Sequence, residues 1–265
     1  MTTGALIFAY NNEQTDYVAM AAWCAENIRR HLGIPVALVT DCPTKLKFEQ
    51  VIIQETNGDN GRWFSDYATN VTWHNQTRVN AYELTPWDQT LVLDADYVVA
   101  SGQLKNVLAS NEEFLAHRWA YDVTGLNNFA GLNYFGAYHM PMWWATVMMF
   151  RRSDHARLIF ETMAMIRDNW THYRNIYKNS NGTYRNDHAL SIALGVVNGH
   201  TLAHAGIPWN LASLTPDHQL TQLTPDHYRV DFVTSEQKSR WLELHNQDFH
   251  AMGKKSLGDI VANPC

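Results

Sequence analysis

The run Leu91-Val-Leu-Asp94-Ala-Asp96 brings two carboxylates to the end of an apolar segment. Residues i and i+2 of a β-strand face the same side, so a strand over 90–100 would aim both aspartates at one place. Neighbouring carboxylates repel each other and are costly to desolvate, and a hard divalent cation relieves both problems. Such a cation can also hold a diphosphate. The sequence therefore predicts a metal site at Asp94 and Asp96, although one Asp capping a turn and the other facing water is the simpler alternative.

The segments around this pair have the pattern of an α/β protein with short connections. Strand, helix and strand in succession predict a parallel sheet with right-handed crossovers, which binds ligands at the carboxyl ends of its strands. No Gly-x-Gly-x-x-Gly follows the first strand, which argues against a dinucleotide-binding domain. We expect strands at 5–10, 36–40, 51–53 and 145–150, helices at 16–31, 77–83, 153–173 and 187–197, and an irregular stretch at 119–144.

Composition limits the classes of function that the chain can have. Its 265 residues, 46% of them hydrophobic, suit a globular protein, and we expect one domain over 1–265 with a loop-rich C-terminal part. The net charge of −6 argues against tight nonspecific binding to nucleic acid, although a local basic groove stays open. No stretch is apolar enough to span a membrane and no signal peptide is evident, so we expect a cytoplasmic protein without a membrane partner.

With these motifs in place, the chain resembles the GT-A-fold glycosyltransferases, closest in pattern to the glycogenin-like, family-8 retaining enzymes. The resemblance covers most of the chain and is loose between Asn111 and Trp143. It implies a Rossmann-type mixed sheet flanked by helices, with Asp94 and Asp96 matching the family's Asp-x-Asp motif. In that family the motif binds manganese and the diphosphate of the sugar donor.

Two further segments carry the resemblance toward the donor diphosphate. Arg78 stands where the family has a basic residue that contacts the donor, and a guanidinium suits phosphate or sugar oxygens. His250-Ala-Met-Gly253-Lys254-Lys255 resembles a C-terminal pattern in which the His is the third metal ligand and a Lys binds the diphosphate. The family's lysine lies six residues after the His, so the pattern leaves Lys254 and Lys255 as alternatives. A carboxylate and imidazole set favours Mn²⁺ over Mg²⁺.

Other matching residues would lie around the sugar and the base. Asp187, with Asn186 or His188 beside it, corresponds to the family's acidic segment near the reacting sugar, although Asp187 also suits a helix cap. It would accept a sugar hydroxyl, stabilise an oxocarbenium-like transition state or act as a base. Tyr10 stands where the family holds uracil and ribose and would stack on the base, and Asp41 would hydrogen-bond the nucleoside.

The resemblance implies a hexosyl- or pentosyltransferase that uses a UDP-sugar, Mn²⁺ or Mg²⁺, and a retaining mechanism. The aromatic segment 119–144 suits an acceptor-side loop, because aromatic rings stack on sugars and on nucleobases. The acceptor is left open between a glycan, a protein or a small molecule and a hydroxymethylated base in DNA, as in phage enzymes that act in the host cytoplasm. An inactive sugar-nucleotide-binding module and a metal-dependent phosphohydrolase are the alternatives from other classes.

Overall fold

A computed structural model describes residues 1–56, 60–74, 76–180, 182–201 and 204–263. Its strands and helices follow one another as β1 (Thr3–Phe8), α1 (Tyr17–Leu32), β2 (Val36–Thr40), β3 (Gln50–Ile53), β4 (Asn60–Phe64), β5 (Thr69–Trp73), α2 (Ala81–Leu84), β6 (Gln89–Asp94), β7 (Tyr97–Val98), α3 (Lys105–Leu108), β8 (Phe114–His117), β9 (Ala120–Asp122), β10 (Tyr134–Phe135), β11 (Met140–Pro141), β12 (Trp144–Arg151), α4 (Asp154–Asp168), α5 (Trp170–Ile176), α6 (Asn186–Val197), β13 (Leu211–Leu214), β14 (Gln219–Thr224), β15 (His227–Val233), β16 (Ser239–His245), β17 (Phe249–Ala251) and α7 (Lys254–Ala262). Short 3₁₀ segments occur at Ser65–Tyr67, Thr77–Asn80 and Phe129–Leu132.

The central sheet has six strands in the order β3-β2-β1-β6-β12-β8. Strands β3, β2, β1 and β6 run parallel, whereas β12 is antiparallel to both β6 and β8. Apolar side chains of β1, β2 and β6 are fully buried, as expected for strands covered on both faces. The predicted mixed α/β sheet flanked by helices is therefore confirmed.

The helix boundaries follow local capping chemistry. Helix α1 begins after Asp16, whose carboxylate accepts a hydrogen bond from the Ala19 amide at 2.9 Å, and it ends at Gly33 in the left-handed conformation. Helix α4 begins after Ser153, whose hydroxyl accepts from the Ala156 amide. The helix expected over 153–173 is divided at Asn169, which ends α4 and precedes α5.

The strand expected over 90–100 is interrupted, and this changes how the two aspartates come together. Strand β6 ends at Asp94, Ala95 and Asp96 form a turn, and β7 joins a second sheet in the order β7-β17-β13-β9. Asp94 and Asp96 therefore do not occupy i and i+2 of one strand. The chain turns out of the central sheet between them, which is a correction to the strand-based prediction.

The C-terminal part contains more β structure than the loop-rich segment that we expected. Beyond the second sheet, β14, β15 and β16 form an antiparallel sheet, and buried side chains alternate with more exposed ones in the first part of β14 and of β15. The two copies of Leu-Thr-Pro-Asp-His form turns before β14 and β15. None of the described helices is long and apolar enough to cross a membrane.

Candidate metal and diphosphate site

A cavity of about 210 Å³ lies where β1 and β6 end. The strand register pairs Phe8 with Asp94, so both strands deliver side chains to the same edge of the central sheet. Tyr10, Arg78, Asp94, Asp96, Asn186, Asp187, His250 and Lys254 all line this cavity. The structure thus brings most of the predicted site residues together, whereas Lys255, Asp41 and His188 do not line the cavity.

Three predicted metal ligands converge in the cavity. Strand β17 pairs with β7 so that His250 is opposite Tyr97, which places its imidazole beside Asp96. His250 Nε2 lies 3.3 Å from Asp96 Oδ2 and 4.0 Å from Asp94 Oδ2. One ligand atom from each of the three residues lies within 4.8 Å of the others.

This donor set fits a divalent cation. Two carboxylates supply the hard oxygen ligands that Mg²⁺ and Mn²⁺ accept, and the imidazole favours a transition metal over Mg²⁺ or Ca²⁺. Asp96 is only 7% exposed, so its negative charge needs compensation inside the protein. The candidate metal site is therefore built from the turn between β6 and β7 and from one distant strand, β17.

Two cationic side chains already contact the carboxylates. Arg78 donates to Asp94 and, through Nη1, to the Ala145 carbonyl oxygen at 3.0 Å. Lys254, the first residue of α7, donates through Nζ to Asp96. Burial raises the pKa of Asp96, but the charges of Lys254 and His250 outweigh burial and hold that pKa below its usual range.

The structure distinguishes the two lysines that the sequence left as alternatives. Lys254 lines the cavity, whereas the side chain of Lys255 is exposed and outside it. The backbone amides of both lysines donate to Asp66 Oδ2, at 2.5 and 3.2 Å. Asp66 thereby caps the N-terminus of α7 from a distant part of the chain and fixes the position of Lys254.

Asp187 faces the cavity from the first turn of α6 and does not cap that helix. Its Oδ1 accepts from the Ala145 amide and its Oδ2 accepts from Arg185, both at 2.9 Å. Burial raises the pKa of Asp187, but the Arg185 charge and the Ala145 amide lower it by more, so the carboxyl is ionised. Asn186 lies beside it and accepts a hydrogen bond from Tyr184.

His188 points away from this cavity. It hydrogen-bonds Asn179 at 3.0 Å and its ring lies between Phe135 and Trp170, at centroid distances of 4.8 and 6.0 Å. Of the two residues proposed beside Asp187, the structure therefore places only Asn186 in the cavity.

Tyr10 lines the cavity from the segment that follows β1. Its hydroxyl accepts from Thr77 at 2.8 Å, and burial raises the pKa of Tyr10 to about 12. Its ring lies 6.2 Å from that of His74. Asp41 is not among the residues that line the cavity.

Sequence reasoning missed the β4–β5 hairpin, which covers one side of the cavity. Arg62, Trp63, Phe64 and Trp73 of this hairpin line it. The Arg62 guanidinium lies 4.6 Å from the Trp73 ring centroid, an arrangement that holds a cation without a carboxylate. The available signal for a hairpin was a weak alternation of polar and apolar residues on both sides of the Ser-Asp-Tyr-Ala turn.

The aromatic segment 119–144 contributes less to the cavity than its composition suggested. Trp144 is the residue of this segment that lines it. Elsewhere the Arg118 guanidinium lies 4.4 Å from the Trp119 ring and 5.7 Å from that of Tyr134. The acceptor-side role of the segment stays a prediction.

No family model matches the chain, and no curated protein matches its sequence. Among solved structures, the glycosyltransferase GlyE of Streptococcus pneumoniae TIGR4 superposes with a TM-score of 0.43 at 12% identity over 78% of this chain and 46% of its own. The galactosyltransferase LgtC, in complex with donor and acceptor sugar analogs, gives 0.45 at 13% identity over 73% and 70% of the two chains. A putative glucose-1-phosphate thymidylyltransferase from Bacillus anthracis gives 0.38 at 9% identity over 78% and 100%. This chain spans less than half of GlyE, and all three TM-scores are below 0.5.

Proposed function

We propose that the chain is a metal-dependent glycosyltransferase that moves a sugar from a nucleoside-diphosphate donor to a hydroxyl acceptor. The observation that carries the proposal is the convergence of Asp94, Asp96, His250 and Lys254 on one cavity at the carboxyl ends of β1 and β6. A bound cation and a lysine together suit a diphosphate leaving group, because the diphosphate takes the electron pair of the broken sugar–oxygen bond and gains negative charge as it leaves.

The charges around the cavity support this donor class. Arg62, Arg78, Arg185 and Lys254 oppose Asp66, Asp94, Asp96 and Asp187, so the lining is formally neutral. A divalent ion would add two positive charges, and the diphosphate of a sugar nucleotide would offset them. Metal and donor should therefore each bind more tightly in the presence of the other.

Each residue then has a defined task. Lys254 would release Asp96 and donate to the diphosphate, whereas Arg78 would keep Asp94 oriented and contact the donor from the same side. Asp94, Asp96 and His250 would hold Mn²⁺ or, less favourably, Mg²⁺, which neutralises the charge of the leaving diphosphate. Tyr10 would stack on the base, for which we propose uracil.

Asp187 would act on the sugar as an anion. Its lowered pKa makes it a weak base at neutral pH but keeps a negative charge close to the reacting carbon. That charge would stabilise an oxocarbenium-like transition state, with Asn186 fixing sugar hydroxyls beside it. We propose a retaining hexosyl or pentosyl transfer.

The acceptor is tested separately from the donor. A hydroxymethylated base in DNA and a glycan, protein or small-molecule hydroxyl are the candidates. The net charge of −6 disfavours a long duplex, so any DNA binding should be confined to a local surface and weaken steeply with salt. A DNA acceptor is refuted if labelled hydroxymethylated duplex does not bind at low salt.

The central experiment measures release of nucleoside diphosphate from a panel of donor sugars, with Mn²⁺ or with EDTA. We expect release that needs the metal, prefers a UDP-sugar and is lost in Asp96→Asn. Asp168→Asn is the matched control, because the Asp168 side chain is 61% exposed and does not line the cavity. If no donor is hydrolysed and calorimetry finds no metal-dependent binding of a diphosphate, the proposed function is wrong.

A further inference from the structure

A second cluster of potential metal ligands lies on the antiparallel sheet β14-β15-β16. Strand register places His227 directly opposite His245, and Glu243 two residues before His245 on the same face. Tyr228 and Leu244, the neighbours of this cluster along the two strands, are buried. Because side chains alternate along a strand, the two histidines and the glutamate share the outer face of the sheet.

The three side chains already meet at one point. His227 Nε2 lies 2.9 Å and His245 Nε2 lies 3.1 Å from the same oxygen, Glu243 Oε2. The two imidazole rings are stacked, with centroids 3.7 Å apart and planes 27° apart. One ligand atom from each residue lies within 4.8 Å of the others.

Among the described residues, no lysine or arginine forms an ion pair with Glu243. Arg229 is directly opposite Glu243, but its guanidinium pairs with Asp231 at 2.7 Å and packs over Trp241. Within the part of the chain that the structure describes, the recorded ion pairs of Glu243 are those with the two histidines. A metal ion at this point would therefore not have to displace a lysine or an arginine, in contrast to the site at Asp94 and Asp96.

We propose that His227, His245 and Glu243 bind a zinc ion that links β15 to β16, separate from the sugar-transfer cavity. Two imidazoles and a carboxylate are ligands that zinc accepts in a tetrahedral site, with water in the fourth position. Metal–ligand bonds of about 2.0–2.2 Å in that geometry place ligand atoms roughly 3.4 Å apart. The His–Glu separations of 2.9 and 3.1 Å are only a few tenths of an ångström below this value, and all three ligand atoms lie within 4.8 Å of one another.

The ligand types also predict which metal ions the cluster should bind and which it should not. Mg²⁺ and Ca²⁺ require mainly oxygen ligands, which this cluster does not offer. Cu²⁺ should bind more tightly than Zn²⁺, following the usual order for nitrogen ligands. The proposal does not depend on the sugar-transfer function, because none of the three residues lines that cavity.

The test is calorimetric titration of Zn²⁺ into the full chain after EDTA treatment and dialysis. We compare the wild type with His245→Ala and Glu243→Gln, and use His172→Ala as a matched control because His172 is an exposed histidine of α5. We expect both cluster variants to weaken one zinc site at least roughly tenfold, since loss of even a supporting group has that effect. The control should bind zinc like the wild type.

The unfolding temperature distinguishes zinc binding at His227, Glu243 and His245 from metal binding in the sugar-transfer cavity. Zn²⁺ should raise the unfolding temperature of His250→Ala, in which the cavity site is disabled, and this increase should vanish in the His245→Ala, His250→Ala double variant. Circular dichroism checks that each variant is folded. If His250→Ala binds no zinc, or if His245→Ala and Glu243→Gln bind it as the wild type does, the proposed site does not exist.

Discussion

Replacement of Lys254 by methionine should change metal binding and nucleotide binding in opposite directions. Lys254 Nζ contacts Asp96, and the two side chains are only 12% and 9% exposed. A divalent ion at Asp96 must therefore displace an internal cation. Methionine keeps the length and packing of the lysine but removes its charge, so Lys254→Met leaves the carboxylate free for the metal.

The size of the effect follows from the charge that is removed. Two unit charges about 4 Å apart attract each other by about 4 kcal/mol at an effective dielectric constant near 20, and desolvation offsets part of this. A net change of about 1–3 kcal/mol corresponds to roughly 5- to 150-fold tighter metal binding in the absence of nucleotide. With metal bound, the variant lacks a charged donor to the diphosphate, which is worth about 1.5–3 kcal/mol.

Calorimetry of Mn²⁺ binding, and of UDP binding at saturating Mn²⁺, measures both effects in the same protein. Lys255→Met is the control, because its side chain is exposed and lies outside the cavity, and it should change neither affinity appreciably. Weaker Mn²⁺ binding by Lys254→Met would be the opposite result, and would mean that the lysine supports the metal site instead of competing with the metal. Unchanged UDP affinity would remove Lys254 from the diphosphate site.

Three further predictions concern the carboxylate beside the sugar, the pH dependence of the free energy of unfolding, and glycines with positive φ. Asp187→Asn should lower kcat by roughly 10²-fold or more with little change in donor affinity, measured by steady-state donor hydrolysis, because it removes a charge that acts in the transition state. His117 is fully buried and burial lowers its pKa to about 4, so the unfolded chain binds a proton that the native chain does not. The free energy of unfolding should therefore fall between about pH 6.5 and 4, by up to about 3 kcal/mol from this group, and urea titrations of His117→Gln should show a shallower fall. Gly136→Ala should destabilise the protein by about 2–4 kcal/mol in the same assay, because φ is +66° and a Cβ would lie 2.1 Å from the Tyr177 carbonyl oxygen. Gly33→Ala should lower the free energy of unfolding by only about 1–2 kcal/mol, because φ is +73° but no atom beyond the adjacent residues lies within 4 Å of the added Cβ. Equal losses of stability in the two variants would contradict this steric difference.

The elements that local signals define were predictable from the sequence. Residues 36–40 form β2 as expected, and Asp16 and Ser153 begin the helices that their side chains cap. The order and direction of the strands in the sheet could not be predicted from the sequence in the same way. Nothing in the residues of β12 distinguishes an antiparallel neighbour of β6 from a parallel one, because both orientations bury the same apolar side chains.

The candidate site was likewise predictable where its signal is local in the sequence, and not where it depends on residues far apart in the chain. Asp94 and Asp96 were found from their apolar context, although the reason given, one continuous strand, was wrong. The hairpin that carries Arg62 was missed because its strands are short and only partly buried, which leaves a weak alternation of polar and apolar residues. Asp66 was missed because it caps a helix almost two hundred residues later in the chain.

Because of this wide separation along the chain, the candidate site forms only when the C-terminal segment is folded against elements near residues 66 and 97. His250 reaches Asp96 because β17 lies between β7 and β13, and Lys254 is held by the Asp66 carboxylate at the start of α7. The proposed third metal ligand, His250, and the proposed diphosphate contact, Lys254, therefore depend on contacts of the C-terminal segment with elements near residues 66 and 97. A metal bound to Asp94, Asp96 and His250 would in turn hold that segment in place, because an ion that binds the native state alone stabilises every contact on which its site depends.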